Sequence, residues 1–224
     1  ELTRDYEGRV LVVEHFSNTN CDPCVEMEEM YESMLAANDS IEIISIGYHP
    51  PFPSPNDPLY LAAQEENDDR TGHYNILATP AFHIDGAFVF ALSPSQLETN
   101  LNAKIIERSA VSDVYANIDV GIESSFGQMH GNIRIKALQD IPANAKLRIV
   151  LVEHDVHIDS PGTNGVTHFK DIMRDMYPSA GGIDLTLSAN ESQIIPFNMD
   201  IQANWTGGLR VVAFIQTGDD GEII

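Results

Sequence analysis

The first hundred residues switch between continuous apolar runs and apolar residues at helical spacing. Residues 8–17 ("GRVLVVEHFS") and 41–49 ("IEIISIGYH") are unbroken apolar runs, as expected of strands buried on both faces. Between them, Cys24, Met27 and Tyr31 recur at helical spacing opposite a row of glutamates, which predicts an amphipathic helix of about four turns. A strand, a helix and a strand in this order predict a right-handed parallel unit.

The pattern after this unit predicts a long loop, two helices and a hairpin. Residues 49–58 ("HPPFPSPNDP") contain five prolines, which excludes a helix or a central strand and predicts an extended loop. Residues 59–75 are typical of a helix. Residues 78–92 predict a hairpin that turns at Asp85-Gly86, and residues 93–109 open with Ser and Pro as a helix does.

From residue 110 onward, polar and apolar residues alternate between turn-rich stretches. This pattern predicts an all-β sandwich of six or seven strands. One segment interrupts it, and we expect a short helix or an ordered loop from Phe169 to Tyr177. The sequence therefore predicts an α/β domain over residues 1–109, followed by a β-sandwich domain over residues 110–224.

The chain is strongly acidic, with 34 Asp and Glu residues against 12 Lys and Arg and a formal net charge of -22. Such a field repels phosphate groups, so we expect no nucleic-acid partner and no direct binding to anionic membrane surfaces. A self-repelling soluble surface explains the charge, and a preference for basic partners or cations is the alternative. No apolar run reaches the roughly 20 residues of a membrane-spanning helix, so we expect no integral membrane segment. The composition does not fix the oligomeric state.

The two cysteines of the chain, Cys21 and Cys24, lie in the stretch "NTNCDPCVEM". A zinc site usually needs four ligands, and there is neither a second cysteine pair nor paired histidine spacing. A static disulfide here would close a very short loop and add little stability. The position between a buried strand and a helix start favours a redox pair, because a Cys21 thiolate is stabilised by the helix N-terminus and Cys24 can resolve a mixed disulfide.

Two stretches resemble thioredoxin. "VLVVEHFSNTNCDPC" is similar to its strand, loop and CxxC helix, and "YNILATPAF" is similar to the segment with the cis-proline beside the active site. The resemblance implies that residues 1–109 form a thioredoxin-like domain. It also implies that Pro80 is the cis-proline and that Thr79 presents its backbone to an extended substrate.

The stretch around the cysteines departs from thioredoxin, and these positions would tune the pair and contact substrate. Asn20 stands where an aromatic residue is common, and the intervening dipeptide is Asp22-Pro23. The carboxylate of Asp22 should raise the pKa of the Cys21 thiol and oppose the helix effect.

A buried acid often assists the resolving cysteine in this fold, and here either Glu14 or His15 occupies its position. Each is able to exchange a proton with Cys24 if it is buried nearby. Neighbouring residues on a strand face opposite sides, so we expect only one of the two to do so.

Two further groups are candidates for binding. In a thioredoxin-like arrangement, the proline-rich loop would border Cys21, with Tyr48, His49 and Phe52 as peptide contacts; a rigid surface insertion is the alternative. Asp155, His157 and Asp159 alternate onto one strand face and are weak candidates for a divalent cation; a solvated strand face is the alternative.

The whole chain resembles the twenty-eight-kilodalton outer membrane protein family of Gram-negative bacteria. The resemblance covers nearly all residues and includes "RTGHYNILATPAFHIDG" and "FKDIMRDMYPSAGG". It implies export to the periplasm or the outer membrane surface, often with a lipid anchor, which here would precede Glu1. The absence of an initial Met fits the removal of a leader. In such an oxidising compartment the two cysteines would rest as a disulfide.

The sequence leads to two hypotheses about function. The first is a thiol–disulfide oxidoreductase that acts on protein or peptide disulfides through Cys21 and Cys24. It would need no cofactor beyond its own redox-active disulfide and no metal. The second is a non-enzymatic envelope or surface binding protein, in which a thioredoxin-like scaffold carries an inert disulfide.

Overall fold

Strand β1 (Leu11–Phe16) is buried along its whole length, as its unbroken apolar run predicts. The computed structural model describes residues 9–37, 41–218 and 221–224. Helix α1 (Asp22–Ala36) follows β1, and β2 (Ile43–Tyr48) returns parallel to it. The predicted strand–helix–strand unit is confirmed.

The region between β2 and residue 110 contains three helices and a hairpin. The single helix predicted over residues 59–75 is wrong, because this stretch forms the end of one short helix and a second, separate helix. The Asp57 side chain caps the first of these by accepting the backbone N–H groups of Leu59 and Tyr60. The hairpin turns at Asp85 and Gly86, both with positive φ, as predicted. The elements are α2 (Pro58–Leu61), α3 (Gln64–His73), β3 (Ala81–Ile84), β4 (Ala87–Val89) and α4 (Pro94–Ser109).

The second half of the chain contains strands that are joined by turns and loops. Their alternating apolar residues face a core between two sheets, to which Ile133, Leu147 and Phe197 belong. The strands are β5 (Ala116–Ser125), β6 (Gln128–Ala137), β7 (Lys146–His157), β8 (His168–Tyr177), β9 (Ile183–Asp184), β10 (Ser192–Asp200) and β11 (Leu209–Gln216).

The strands of the two halves share one mixed sheet. Its order is β11-β7-β8-β2-β1-β3-β4, with β9 beside β7, while β10-β6-β5 form a separate three-stranded sheet. The predicted fold class, an α/β thioredoxin-like domain followed by a β-sandwich domain, is therefore wrong: the fold is mostly β, and its larger sheet runs through both halves. The boundary between residues 109 and 110 stays a prediction.

The contact between the halves depends on Gly47. Gly47 of β2 pairs with Ile172 of β8 in parallel. A Cβ at position 47 would lie 2.9 Å from the Ile172 side chain and 3.0 Å from the His15 ring. The absence of a side chain at Gly47 thus lets β8 and the His15 ring approach β2 closely.

The segment from Phe169 to Tyr177, predicted as a short helix or an ordered loop, is part of strand β8. Its register against β7 shifts between Leu151 and Val152, and Asp171 has a positive φ of 55°. These irregularities disturb the alternation of side chains, so that Ile172, Met173 and Arg174 are all buried in succession. The resulting sequence pattern does not have the period of a regular strand.

None of the helices in the described residues is long and apolar enough to cross a membrane.

Candidate active site

Cys21 and Cys24 form a disulfide at the start of α1. Their Cα atoms are 5.3 Å apart. Cys21 occupies the N-cap position of the helix, without a side-chain hydrogen bond that caps it, and Pro23 lies in the first turn. A thiolate on Cys21 in the reduced state would therefore sit at the positive end of α1.

Both cysteines are buried: Cys21 is 3% exposed and Cys24 is 1% exposed. Residues 158–167, which connect β7 to β8 and are called the β7–β8 loop below, pack against the segment before Cys21. The backbone N–H of Asn164 donates to the Thr19 carbonyl at 3.2 Å, and the Asn164 side-chain amide donates to the Asn18 carbonyl at 3.3 Å. A Cβ at Gly162 would lie only 2.1 Å from the Thr19 oxygen. The second half of the chain thus supports the segment that leads to Cys21.

The Thr79-Pro80 peptide bond is cis, as the resemblance to thioredoxin implied. Ala81 pairs with Phe16 at the end of β1, so Pro80 lies at the end of the sheet where the chain leaves β1 for Cys21. Thr79 and Pro80 are half-buried, while Leu77 just before them is 83% exposed. An exposed apolar side chain therefore lies two residues before the cis bond in the chain.

Three predicted site residues lie in the CxxC segment itself. Asn20 is half-buried and its amide donates to the Thr163 hydroxyl at 3.4 Å. Asp22 and Pro23 are exposed. Of these three, Asp22 and Pro23 are the ones open to a partner.

The proline-rich loop forms hydrogen bonds with the residues just before the CxxC segment. The Asn18 amide donates to the carbonyl oxygens of Pro50 and Ser54 at 2.9 and 3.0 Å. The Asp57 carboxylate accepts the backbone N–H of Thr19 at 2.8 Å and lies 2.7 Å from Nδ1 of His49. The loop is therefore tied to the residues before Cys21.

The placement of this loop corrects the predicted peptide contacts. Tyr48 is 0% exposed and His49 is 1% exposed, so neither offers a surface to a peptide. Phe52 is half-buried and packs against the core that includes Phe16 and Tyr48. Tyr48 packs on the Phe16 ring and His49 on the Phe169 ring, contacts that proline-rich composition alone does not reveal.

Glu14 lies on the face of β1 away from α1, within a closed network. Its carboxylate accepts hydrogen bonds from Arg70 and Tyr74, and Arg70 also donates to the Gln216 side chain at 3.0 Å. Burial alone would raise the pKa of Glu14, but the Arg70 charge and the Tyr74 hydroxyl lower it overall. Glu14 was predicted as one of two residues to exchange a proton with Cys24; its partners hold it ionised on the opposite face.

His15 lies on the face of β1 that α1 covers. Its Nδ1 is 3.1 Å from the Glu28 carboxylate of α1, and its ring is stacked on Phe82 with centroids 5.9 Å apart. Burial alone would lower the pKa of His15, yet the carboxylates of Glu28, Asp171 and Glu32 raise it. Of the two candidates for proton exchange, only His15 shares a cavity with Cys24, one of about 500 Å³ between α1, β2 and β8.

The three weak metal candidates do not form a site. His157 and Asp159 are 3.4 Å apart as an exposed ion pair, and Asp155 is exposed on β7, where Lys170 is its partner across the strands. Within the described residues, no group of three or more His, Cys, Asp or Glu side chains is placed to hold a metal ion.

Sequence reasoning missed Asp57, Glu28 and Asn164 as parts of this site. The stretch "NDP" at residues 56–58 carries the signal of an Asp N-cap before a helix-starting Pro, so the capping role of Asp57 could have been found. Its hydrogen bonds to His49 and to the Thr19 backbone depend on tertiary structure and have no local signal.

Comparisons with known proteins show the fold and no family. No protein-family model and no curated protein matches the sequence. Among solved structures, the chain is similar to HBP35 of Porphyromonas gingivalis, with a TM-score of 0.78 and 13% identity over 99% of this chain and 74% of that chain. The likeness to Spo0M, a sporulation control protein from Bacillus subtilis, has a TM-score of 0.29 and 15% identity over 46% of this chain and 43% of that chain, too low to carry an argument. The first likeness shows a shared fold.

Proposed function

We propose that this protein is a thiol–disulfide oxidoreductase that acts on protein disulfides through Cys21 and Cys24. The observation that carries the proposal is the disulfide at the N-terminus of α1, next to the sheet end that holds the cis Thr79-Pro80 bond. A helix N-terminus stabilises the thiolate that attacks a disulfide, and Cys24 is bonded to Cys21 and so within reach to resolve an intermediate.

The proposed reaction needs no external cofactor. In the reduced protein, the Cys21 thiolate attacks one sulfur of a substrate disulfide and releases the other as a thiolate. Cys24 gives its proton to His15, attacks the Cys21 sulfur and releases the second substrate thiolate. The substrate gains two electrons and the Cys21–Cys24 disulfide is restored. His15 fits the proton step because it shares the cavity with Cys24.

We further propose an exported protein of the bacterial cell envelope, as the resemblance to the twenty-eight-kilodalton outer membrane protein family implies. The Cys21–Cys24 disulfide supports this location, because disulfides persist in oxidising compartments such as the periplasm. Protein or peptide disulfides outside the cytoplasm would be its substrates.

The burial of the cysteines favours a second candidate function, an envelope binding protein with an inert disulfide. Cys21 is only 3% exposed, and the β7–β8 loop is bonded to the segment before it. Such burial hinders the attack of Cys21 on a substrate disulfide unless the surrounding segments move. The two candidates therefore differ in whether Cys21 reacts.

Reduction of insulin by dithiothreitol separates the two functions. We expect the wild-type protein to accelerate insulin precipitation, and Cys21→Ser to abolish the acceleration because the attacking sulfur is lost. Cys24→Ser should instead accumulate a mixed disulfide with substrate, visible on a non-reducing gel. Ser17→Ala, close in the chain but without a sulfur, serves as a matched control. A rate with Cys21→Ser equal to that of wild type would leave the binding protein as the function.

A further inference from the structure

The cavity between α1, β2 and β8, called the α1–β8 cavity below, has a volume of about 500 Å³. This size falls within the range of about 300–1,000 Å³ that is usual for small-molecule sites. Cys24 and His15 line it, but the proposed exchange with protein disulfides needs only a small part of it. The rest of the cavity has no assigned role.

Apolar side chains form much of its wall. Val25 and Leu35 contribute from the two ends of α1, and Val166, Phe169 and Ile172 contribute from the β7–β8 loop and β8. This lining suits a hydrocarbon stem, because contact between the stem and the wall removes the apolar surface of both from water.

Carboxylates surround the apolar wall. Of the described residues that line the cavity, four are acidic (Glu28, Glu29, Glu32 and Asp171) and one is a lysine. That lysine, Lys170, is 3.3 Å from Glu32 and its side chain is 55% exposed. Arg210 pairs with Asp171 from outside the lining. The carboxylates together make the cavity favourable for a positive charge, as the raised pKa of His15 also indicates.

A buried imidazole nitrogen provides an independent indication. His49 lines the cavity, is 1% exposed, and its Nε2 has no hydrogen-bond partner. Burial alone would raise the pKa of Asp57, but the His49 ring and the Thr19 and Leu59 backbone N–H groups lower it, so the carboxylate only accepts. The Nδ1–H of His49 therefore donates to Asp57, and Nε2 is the ring nitrogen that is left without a partner.

We propose that the α1–β8 cavity binds a small organic cation, a primary ammonium or guanidinium group on an apolar stem. The stem fits the apolar wall, and the N–H groups donate to the carboxylates. An anion would meet four carboxylates, and the one lysine of the lining, Lys170, is already paired with Glu32. The same chemistry occurs in free amines and in the lysine or arginine side chains of a peptide.

Calorimetric titration of the oxidised protein with three probes of one stem tests the proposal. We expect n-hexylammonium to bind at least about tenfold more tightly than n-hexanol, since one charge-assisted hydrogen bond supplies that factor, and n-hexanoate not to bind. Added salt should weaken the binding of n-hexylammonium. Equal affinity for the amine and the alcohol would overturn the proposal, as would preference for the carboxylate.

Variants locate the site. Glu29→Gln with Glu32→Gln should reduce n-hexylammonium affinity by about tenfold, whereas Glu26→Gln, on the same helix but outside the cavity, should leave it unchanged. Val25→Phe, which fills the wall, should weaken all three probes. Equal effects of the Glu29/Glu32 and Glu26 changes would contradict the assignment. Thermal melts confirm folding of each variant.

The source of the cation is resolved by one more probe. The blocked tripeptide acetyl-Gly-Lys-Gly-amide carries the same ammonium group on a side chain. Tighter binding of this peptide than of n-hexylammonium would identify a protein side chain as ligand, and the reverse would identify a free amine. Binding requires no thiol exchange, so a failed insulin assay leaves this inference standing, and a failed titration leaves the oxidoreductase intact.

Discussion

Glu14 and His15 are neighbours on β1, yet they belong to opposite kinds of environment. Glu14 faces a closed network in which hydrogen bonds join Arg70, Tyr74 and Gln216. His15 faces the open α1–β8 cavity and has one carboxylate partner, Glu28, at 3.1 Å. One face of the strand thus stabilises the fold, and the other holds groups that are free to react or to bind.

The comparison shows that a buried titratable residue is not by itself a catalytic one. Both side chains are nearly inaccessible, with Glu14 at 0% and His15 at 5% exposure. Their difference lies in what else is near: Glu14 has two strong donors, whereas His15 shares its cavity with a cysteine. A carboxylate held by a buried arginine is poorly suited to take up and release protons.

The largest expected effect comes from breaking the closed network. Glu14→Gln leaves the Arg70 guanidinium, which is 1% exposed, without its counter-ion. Removing one partner of a buried pair costs about 3–5 kcal/mol of folding free energy. Urea denaturation of the oxidised wild type and Glu14→Gln at neutral pH measures this loss of folding free energy. A loss no larger than that of Glu28→Gln would contradict the distinction between the two faces.

A smaller, pH-dependent effect is expected on the open face. The pKa of His15 is raised in the folded protein, so its pairing with Glu28 stabilises the fold below the unfolded pKa of about 6.5 and ceases to do so as pH rises through the folded pKa. Glu28→Gln should cost about 1.5 kcal/mol at about pH 6 and much less near pH 9. Denaturation at both pH values measures this, and a loss that grows with pH would refute it.

The smallest expected effect concerns access to the disulfide. Asn164→Ala removes the side-chain hydrogen bond to the Asn18 carbonyl, so the β7–β8 loop should open more often. If the loop loses about 1 kcal/mol of stability against local opening, dithiothreitol should reduce the disulfide about fivefold faster. Trapping of the free thiols with a maleimide at successive times measures this rate.

A second substitution tests the same loop by a different route. Gly162→Ala places a methyl group where a Cβ lies 2.1 Å from the Thr19 oxygen, so the loop must shift and reduction should again be faster. Ser160→Ala, an exposed position of the same loop, is the control. Unchanged reduction rates in both Asn164→Ala and Gly162→Ala would mean that the loop does not limit access.

Local signals in the sequence predicted the elements around the cysteines well. The helix after Cys21, the Asp85-Gly86 turn and the Ser93 cap of α4 each depend on residues within a few positions, where periodicity and turn chemistry decide the structure. The CxxC segment and the Thr79-Pro80 bond were likewise recognisable from short stretches.

Contacts between distant segments were not predictable in this way. Gly47 and Ile172 pair across more than half of the chain, and no pattern in either stretch specifies the other. The irregular register of β8 also conceals its strand character, because Ile172, Met173 and Arg174 are buried in a row. The hydrogen bonds between the β7–β8 loop and the segment before Cys21 depend on this pairing, as does the α1–β8 cavity, so neither was foreseen.

The parallel pairing of β2 with β8 also limits how the protein can be divided. A fragment that ends after residue 109 would expose β2 as an open sheet edge with unpaired backbone groups, a template for aggregation. It would also lose Phe169 and Ile172, which form one wall of the α1–β8 cavity. The two halves therefore form one structural unit. A domain from another protein could replace either half only if it supplied a strand that pairs with the remaining half.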